Sequence, residues 1–197
     1  HQGMSLILFP LDAPGVTRRP IERMDGEKVF AEIFLDDVRV PAFNRLGEEG
    51  QGWAVCMATA GFERGLMLRS PARYQETARR LIALYEDRKG ALPDSLGERV
   101  ARGWMDADAY ALAIYAMCSR LDAGGTIGPE SSTNKIFWSQ LDIELHRTAL
   151  DILGPDAELP GEWLDGHIFA LAGPIYAGSN EIQRNIIAER MLGLPRK

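Results

Sequence analysis

Apolar and polar positions along this chain change period once. Up to about residue 42 they alternate or come in short apolar bursts, and from about Gly52 they recur every three or four residues. In the first part MSLILF is a short apolar run, Asp12–Gly15 is a turn signal, and VTRRPI reads as an edge-like strand. A second turn at Asp25-Gly26 leads into VFAEIFLDDVRV, where Val29, Ala31, Ile33 and Leu35 share one face and Phe30, Glu32, Phe34 and Asp36 the other. Pro41 ends that run. These segments predict two or three antiparallel strands, too few to be stable without partners.

The second part predicts a helical domain. Apolar residues at helical spacing run from Trp53 almost to Lys89, with Pro71 kinking the helix or dividing it in two. The segment GALPDSLGERV stops that helix and starts another, and Ser95-x-x-Glu98 fits a capping box. Gly124-Gly125 ends this helix. Pro129 suits the first turn of the next, which runs to Gly154-Pro155. A short helix is expected around Trp163–Leu171, and a last one from Gly178-Ser179-Asn180 to about Leu192-Gly193. Long helices joined by short loops suit an antiparallel four-helix bundle, so the fold class expected is mainly α with a small antiparallel β fragment in front.

Composition narrows the function without naming it. Of 197 residues, 46% are apolar, enough for a sizeable core. The formal charge is −6 and no basic stripe occurs, which argues against a nucleic-acid partner. No run reaches 18 apolar residues, so no membrane span is expected. Cys56 and Cys118 read as small core residues of a reduced, cytoplasmic protein. His1, His146 and His167 lack a second ligand at helical spacing, so no metal site is expected. The chain starts at His1 and enters a strand at once, which suggests a piece of a longer protein.

Three stretches, in chain order, resemble the acyl-CoA dehydrogenase family. They are FLDDVRVPAFNRLGEEGQGW at 34–53, the helical text from Trp53 to Arg88, and YAGSNEIQRNIIAERMLGLPR at 176–196. The resemblance covers the C-terminal half or so of a full member. It implies that residues 1–50 end a middle β-domain and that 51–197 form the C-terminal helical domain. It also implies FAD as cofactor and an acyl-CoA thioester as substrate, oxidised to the 2-enoyl-CoA. An electron-transfer flavoprotein would be the electron acceptor, and the assembly a homodimer, homotetramer or heterotetramer.

The chemistry implied needs a base for the α-proton and a hydrogen-bonded thioester oxygen, while the β-hydrogen leaves as hydride to FAD. In many members the base is a glutamate in a Tyr-Glu-Gly-Thr context. Here the text is Tyr176-Ala177-Gly178-Ser179, and a methyl group cannot take a proton. Other members carry the base directly before an arginine on the first long helix of this domain, which falls on Glu63-Arg64. From Trp53 to Leu68 these are the only charged residues, and a lone carboxylate on an apolar face is costly unless used or paired. Glu63 is therefore the expected base. The alternative is a snorkelling or Arg64-paired glutamate at a bend flanked by Gly61 and Gly65. The Ala177 backbone N–H survives loss of the side chain and is the expected donor to the thioester oxygen.

The resemblance further implies that Arg88, Gly154, Gly178, Ser179 and Glu181 bind the cofactor and that Arg64 and Tyr176 touch the substrate. Ser179 is equally readable as a plain helix N-cap, and Arg88 as a solvated charge at a helix C-terminus. Two departures stand out. The family's Arg-x-x-Phe-Gly motif is shortened after Arg88 and has Ala91-Leu92, and its Gln-x-x-Gly-Gly motif reads Asp151-Ile-Leu-Gly154-Pro155. They motivate a second reading, a non-catalytic or flavin-poor subunit of a heteromeric dehydrogenase.

Overall fold

The computed structural model describes residues 3–66 and 69–196, except for the side chains of 60–66 and of Ala91. The chain divides into two compact units, one ending at Glu63 and one beginning at Arg64.

Among the described residues of the first unit, four short strands form two antiparallel pairs. Strand β1 (Leu6–Ile7) pairs with β4 (Arg45–Leu46), and β2 (Val16–Ile21) pairs with β3 (Phe30–Leu35) in the register Val16↔Leu35 to Ile21↔Phe30. The strand count thus exceeds the two or three expected, because β4 lies past the proline that ends the alternation. Gly15 turns the chain into β2 with φ +89°, and a Cβ there would lie 2.1 Å from the Asp36 carbonyl oxygen, so only glycine fits. Neither face of β3 is buried. Every residue of the strand is exposed, Ile33 and Leu35 about half so. Helix α1 (Gly52–Leu66) follows and runs across the division between the units.

The second unit is the helical bundle. Helix α2 (Pro71–Arg88) begins with proline in its first turn, directly after Ser70. Pro71 therefore divides two helices. Helix α3 (Asp94–Asp122) is followed by α4 (Ser131–Leu153), α5 (Glu162–Ala170) and α6 (Asn180–Arg190). Tyr74, Ala78 and Leu81 recur on one face of α2. They pack with Leu96, Val100, Ala107, Tyr110 and Ile114 of α3 and with Trp138, Leu141, Leu145, Ala149 and Ile152 of α4. Tyr74 and Tyr110 meet edge to face at 5.2 Å, and Tyr110 stacks on Phe137 at 6.3 Å.

Three local expectations are corrected. Pro93 occupies the N-cap of α3 and the helix starts at Asp94, so Ser95 falls inside the first turn and no capping box forms. Gly128–Glu130 make a separate turn, closed by hydrogen bonds from Ser131 to the Gly128 carbonyl, so Pro129 precedes α4 instead of opening it. Cys118 is exposed and Cys56 only half-buried, so neither is a core residue; Cys118 lies one step around the helix from buried Met117.

Candidate functional site

The tail motif forms a turn that leads into α6. Backbone N–H to carbonyl bonds from Ile175 and Tyr176 to Ala172 wind the segment, and the Asn180 N–H closes it onto the Pro174 carbonyl at 2.8 Å. At its apex Ala177 has φ +55° and Gly178 φ +83°. Gly178 is where glycine belongs. Ala177 pays about 1–2 kcal/mol for the left-handed conformation, a strain that persists only when neighbours enforce it. Among the described residues the N–H groups of Ala177, Gly178 and Ser179 have no hydrogen-bond partner. Three successive free donors at a helix N-terminus form a receptor for an oxygen carrying negative charge.

The N-terminal half of α4 backs this turn. Lys135, Trp138, Ser139 and Asp142 share one helix face at three-four spacing and are all buried. The Lys135 ammonium donates to Asn180 Oδ1 at 2.8 Å, and Asn180 Nδ2 donates to Ser139 Oγ at 3.0 Å. Gly173 rests on α4 closely enough that a Cβ would stand 3.3 Å from that of Ser139 and 3.4 Å from the Trp138 ring. From within α6, Gln183 Nε2 donates to the carbonyls of Ala177 and Gly178 at 3.2 and 3.4 Å.

Tyr176 is fixed from the other side. Its hydroxyl accepts from Arg69 Nη2, and its ring lies 5.8 Å from Trp138. The Arg69 guanidinium sits over both rings, 4.8 Å from Trp138 and 5.2 Å from Tyr176, while the Arg69 carbonyl accepts from the Tyr110 hydroxyl at 2.9 Å. Burial pushes the Tyr176 hydroxyl up from its ordinary pKa, with Arg69 and Arg73 opposing. One turn further, Arg73 Nη2 reaches Asp142 Oδ2 at 2.9 Å. His146 Nδ1 is 2.8 Å from the Asp142 carbonyl, an acceptor, so that nitrogen carries the proton. Burial also lowers the pKa of Lys135, with Glu181 partly opposing.

The remaining sequence-predicted residues are arranged as follows. Ser179 is the N-cap of α6 and accepts from the Ile182 N–H at 3.4 Å. Glu181 stands in the first turn, its pKa held down by its own backbone N–H and then by the Ser179 hydroxyl. Arg88 ends α2 and is engaged: Nη1 donates to the Leu153 carbonyl at 3.2 Å and Nη2 to Asp156 Oδ2 at 2.9 Å. Beside it Asp87, Gly90, Leu92 and Ile152 line an open recess of about 540 Å³. Gly154 caps α4 with φ +59°, its N–H on the Leu150 carbonyl. The bundle thus brings Tyr176, Ala177, Gly178, Ser179 and Glu181 together, and leaves Arg88 and Gly154 at the C-terminal end of α4. The side chains of Glu63 and Arg64 lie outside the described residues.

Sequence reasoning missed Lys135, Ser139, Asp142, Arg69, Arg73, Asn180 and Gln183. The signal was available on α4, where polar residues 135, 139, 142 and 146 interrupt the apolar stripe of Trp138, Leu141 and Leu145. Among the described residues there is no group of three His, Cys, Asp or Glu able to hold a metal, and no helix long and apolar enough to cross a membrane.

A helical bundle whose last helix opens on the YAGSNEIQR turn defines a class. Residues 50–192 match the acyl-CoA dehydrogenase C-terminal domain, and the chain belongs to the acyl-CoA dehydrogenase family. It is 38% identical over 204 residues to acyl-CoA dehydrogenase IpdE1 of Mycobacterium tuberculosis, covering all of this chain and 52% of that protein. It is 39% identical over 206 residues to the IpdE1 of Mycolicibacterium smegmatis, again over all of this chain and 50% of the relative. Among solved structures it is similar to the ChsE4-ChsE5 complex from Mycobacterium tuberculosis, with TM-score 0.85 and 29% identity over 100% of this chain and 54% of that one. The chain spans about half the length of the relatives it matches.

Proposed function

We propose that this chain is the C-terminal part of an FAD-dependent dehydrogenase that converts an acyl-CoA thioester to its 2-enoyl-CoA. The observation that carries the reading is the turn at Ala177–Ser179, with two left-handed residues and three free N–H groups. That donor set fits an enolate-like thioester oxygen, and the Ala177 N–H is the group assigned to it. Loss of the usual tail glutamate removes the base and keeps the donor. Glu63 is assigned as the base that takes the α-proton, and Arg64 and Tyr176 as substrate contacts.

The donor groups of Gly178 and Ser179 suit the polar edge of a flavin, and these two residues would hold it with Glu181 nearby. Bound FAD would supply the acceptor for the β-hydride. Electrons would then pass to an electron-transfer flavoprotein. Residues 1–50 are assigned to the end of a middle β-domain and 51–197 to the C-terminal helical domain. The 197-residue chain alone is expected to be inactive.

The test is Glu63→Gln in the full-length protein. Loss of a base should lower turnover by a factor of about 10² or more while acyl-CoA still binds. Turnover within about twofold of the parent would sink the assignment.

A second reading has a specific observation behind it. Arg88 is bound to Asp156 and the Leu153 carbonyl, so it offers no free charge to a cofactor. This suits a subunit of a mixed dehydrogenase that completes only part of each FAD site, and ChsE4-ChsE5 is a complex of two named components. Under that reading the purified full-length protein takes up FAD only with its partner subunit.

A further inference from the structure

The polar side chains buried behind the tail turn have no part in the chemistry just described. Lys135 is fully buried, yet its only oxygen partner among the described residues is Asn180 Oδ1. Among the described residues no carboxylate stands within ion-pair distance of it, Glu181 acting on it only from further off, and the Trp138 ring is 5.9 Å away. Burying an ammonium without a counter-ion is costly, and a methionine would fill the same space at no such cost. A lysine here needs a reason beyond packing.

The geometry points to one. By taking Oδ1, the ammonium fixes which way the Asn180 amide faces, which leaves Nδ2 for Ser139 Oγ at 3.0 Å. The backbone N–H of the same Asn180 holds the Pro174 carbonyl at 2.8 Å. Asn180 is therefore the clasp of the 174–180 segment, and Lys135 locks the clasp to α4. Gln183 restrains the apex from below through the Ala177 and Gly178 carbonyls. A donor group whose two neighbouring carbonyls and far anchor are all fixed cannot swing away from its target.

We propose that Lys135, acting through Asn180, and Gln183 are positioning residues that hold the Ala177 N–H in line for the thioester oxygen. This rests on the reading of Ala177 given above. The ammonium is fully buried and is given no direct contact with substrate or cofactor in this proposal. It keeps the left-handed turn in the one conformation that aims its N–H, at the expense of a buried charge.

The test uses the full-length holoenzyme, with its partner subunit if one copurifies, and the variant Lys135→Met. The probe is a chromophoric aryl-enoyl-CoA, whose absorbance shifts to the red when its thioester oxygen is hydrogen-bonded. In the parent the bound probe should shift. In Lys135→Met the shift should shrink and kcat should fall about tenfold, with KM within about threefold, as expected for a donor misaimed rather than removed. A structural lysine would alter the melting temperature and leave shift and kcat in place, and that result overturns the proposal. Should Lys135→Met fail to fold, Gln183→Met removes the two carbonyl restraints and carries the same expectation. A parent that binds the probe without any shift overturns the Ala177 reading and this proposal together; a parent shift retained in a folded variant overturns only this one.

Discussion

The tail turn, packed on the N-terminal half of α4, and the Arg88–Gly154 corner at its C-terminal end were both expected to serve the cofactor, and they are built in opposite ways. At the N-terminal half, buried side chains converge on the tail turn: Lys135 and Ser139 on Asn180, and Trp138 on Tyr176. At the C-terminal end, exposed charges close on one another: Arg88 on Asp156 and Arg99 on Asp151 at 2.5 Å. Buried polar groups keep their partners because water cannot replace them, whereas exposed ion pairs exchange readily with solvent. The first end is pre-organised around free N–H donors. The second is an arrangement in which the charges satisfy each other, and a cofactor would have to compete for Arg88.

The contrast can be broken in three places. The largest effect is expected beside the turn. Arg73→Met leaves Asp142, 1% exposed, without its cation, which should cost about 3 kcal/mol of stability by urea unfolding. Asp142→Asn should cost less, because Arg73 is partly exposed and its charge can turn to water. The reverse order would mean that Asp142 is not the dependent partner.

Arg88→Ala should cost no more than about 1 kcal/mol, as a half-exposed pair does. Its FAD affinity in the intact protein should change by less than about threefold. A tenfold loss would show that Arg88 leaves Asp156 for the cofactor, and the two ends of α4 would then be alike.

The smallest effect concerns His167, near the C-terminal half of α4. Burial lowers its pKa from 6.5, aided by Arg147 and His146, with Asp151 and Glu144 opposing. As pH falls through 6.5 the unfolded chain takes the proton first, so stability is lost on acidification. His167→Gln should flatten the melting temperature between pH 7.5 and 5.5 relative to the parent; an unchanged slope would assign it to other groups.

The sequence showed the helices, because apolar residues at three-four spacing mark α2, α3 and α4 directly. It marked Pro71 as a kink or a division, and only the structure decides for the division. It misplaced the start of α3 because Pro93, not Ser95, occupies the cap, and periodicity does not reveal which polar residue sits there. The start of the last helix at Gly178-Ser179-Asn180 was legible in the pattern, and the chemistry of the turn before it through resemblance. Its left-handed Ala177 was not, since alanine carries no sequence signal for positive φ. The backing by Lys135 and Asn180 escaped because a 45-residue separation has no local signature. A lysine within an apolar stripe is easily taken for a snorkelling surface residue.

Whether the intact protein dehydrogenates an acyl-CoA on bound flavin can be read from the visible absorbance of the full-length protein, purified without added cofactor and titrated anaerobically with a panel of acyl-CoAs. Flavin bands that bleach with one acyl class are expected. A protein that stays colourless, takes up no added FAD with or without a partner subunit, and shows no bleaching would contradict the dehydrogenase reading.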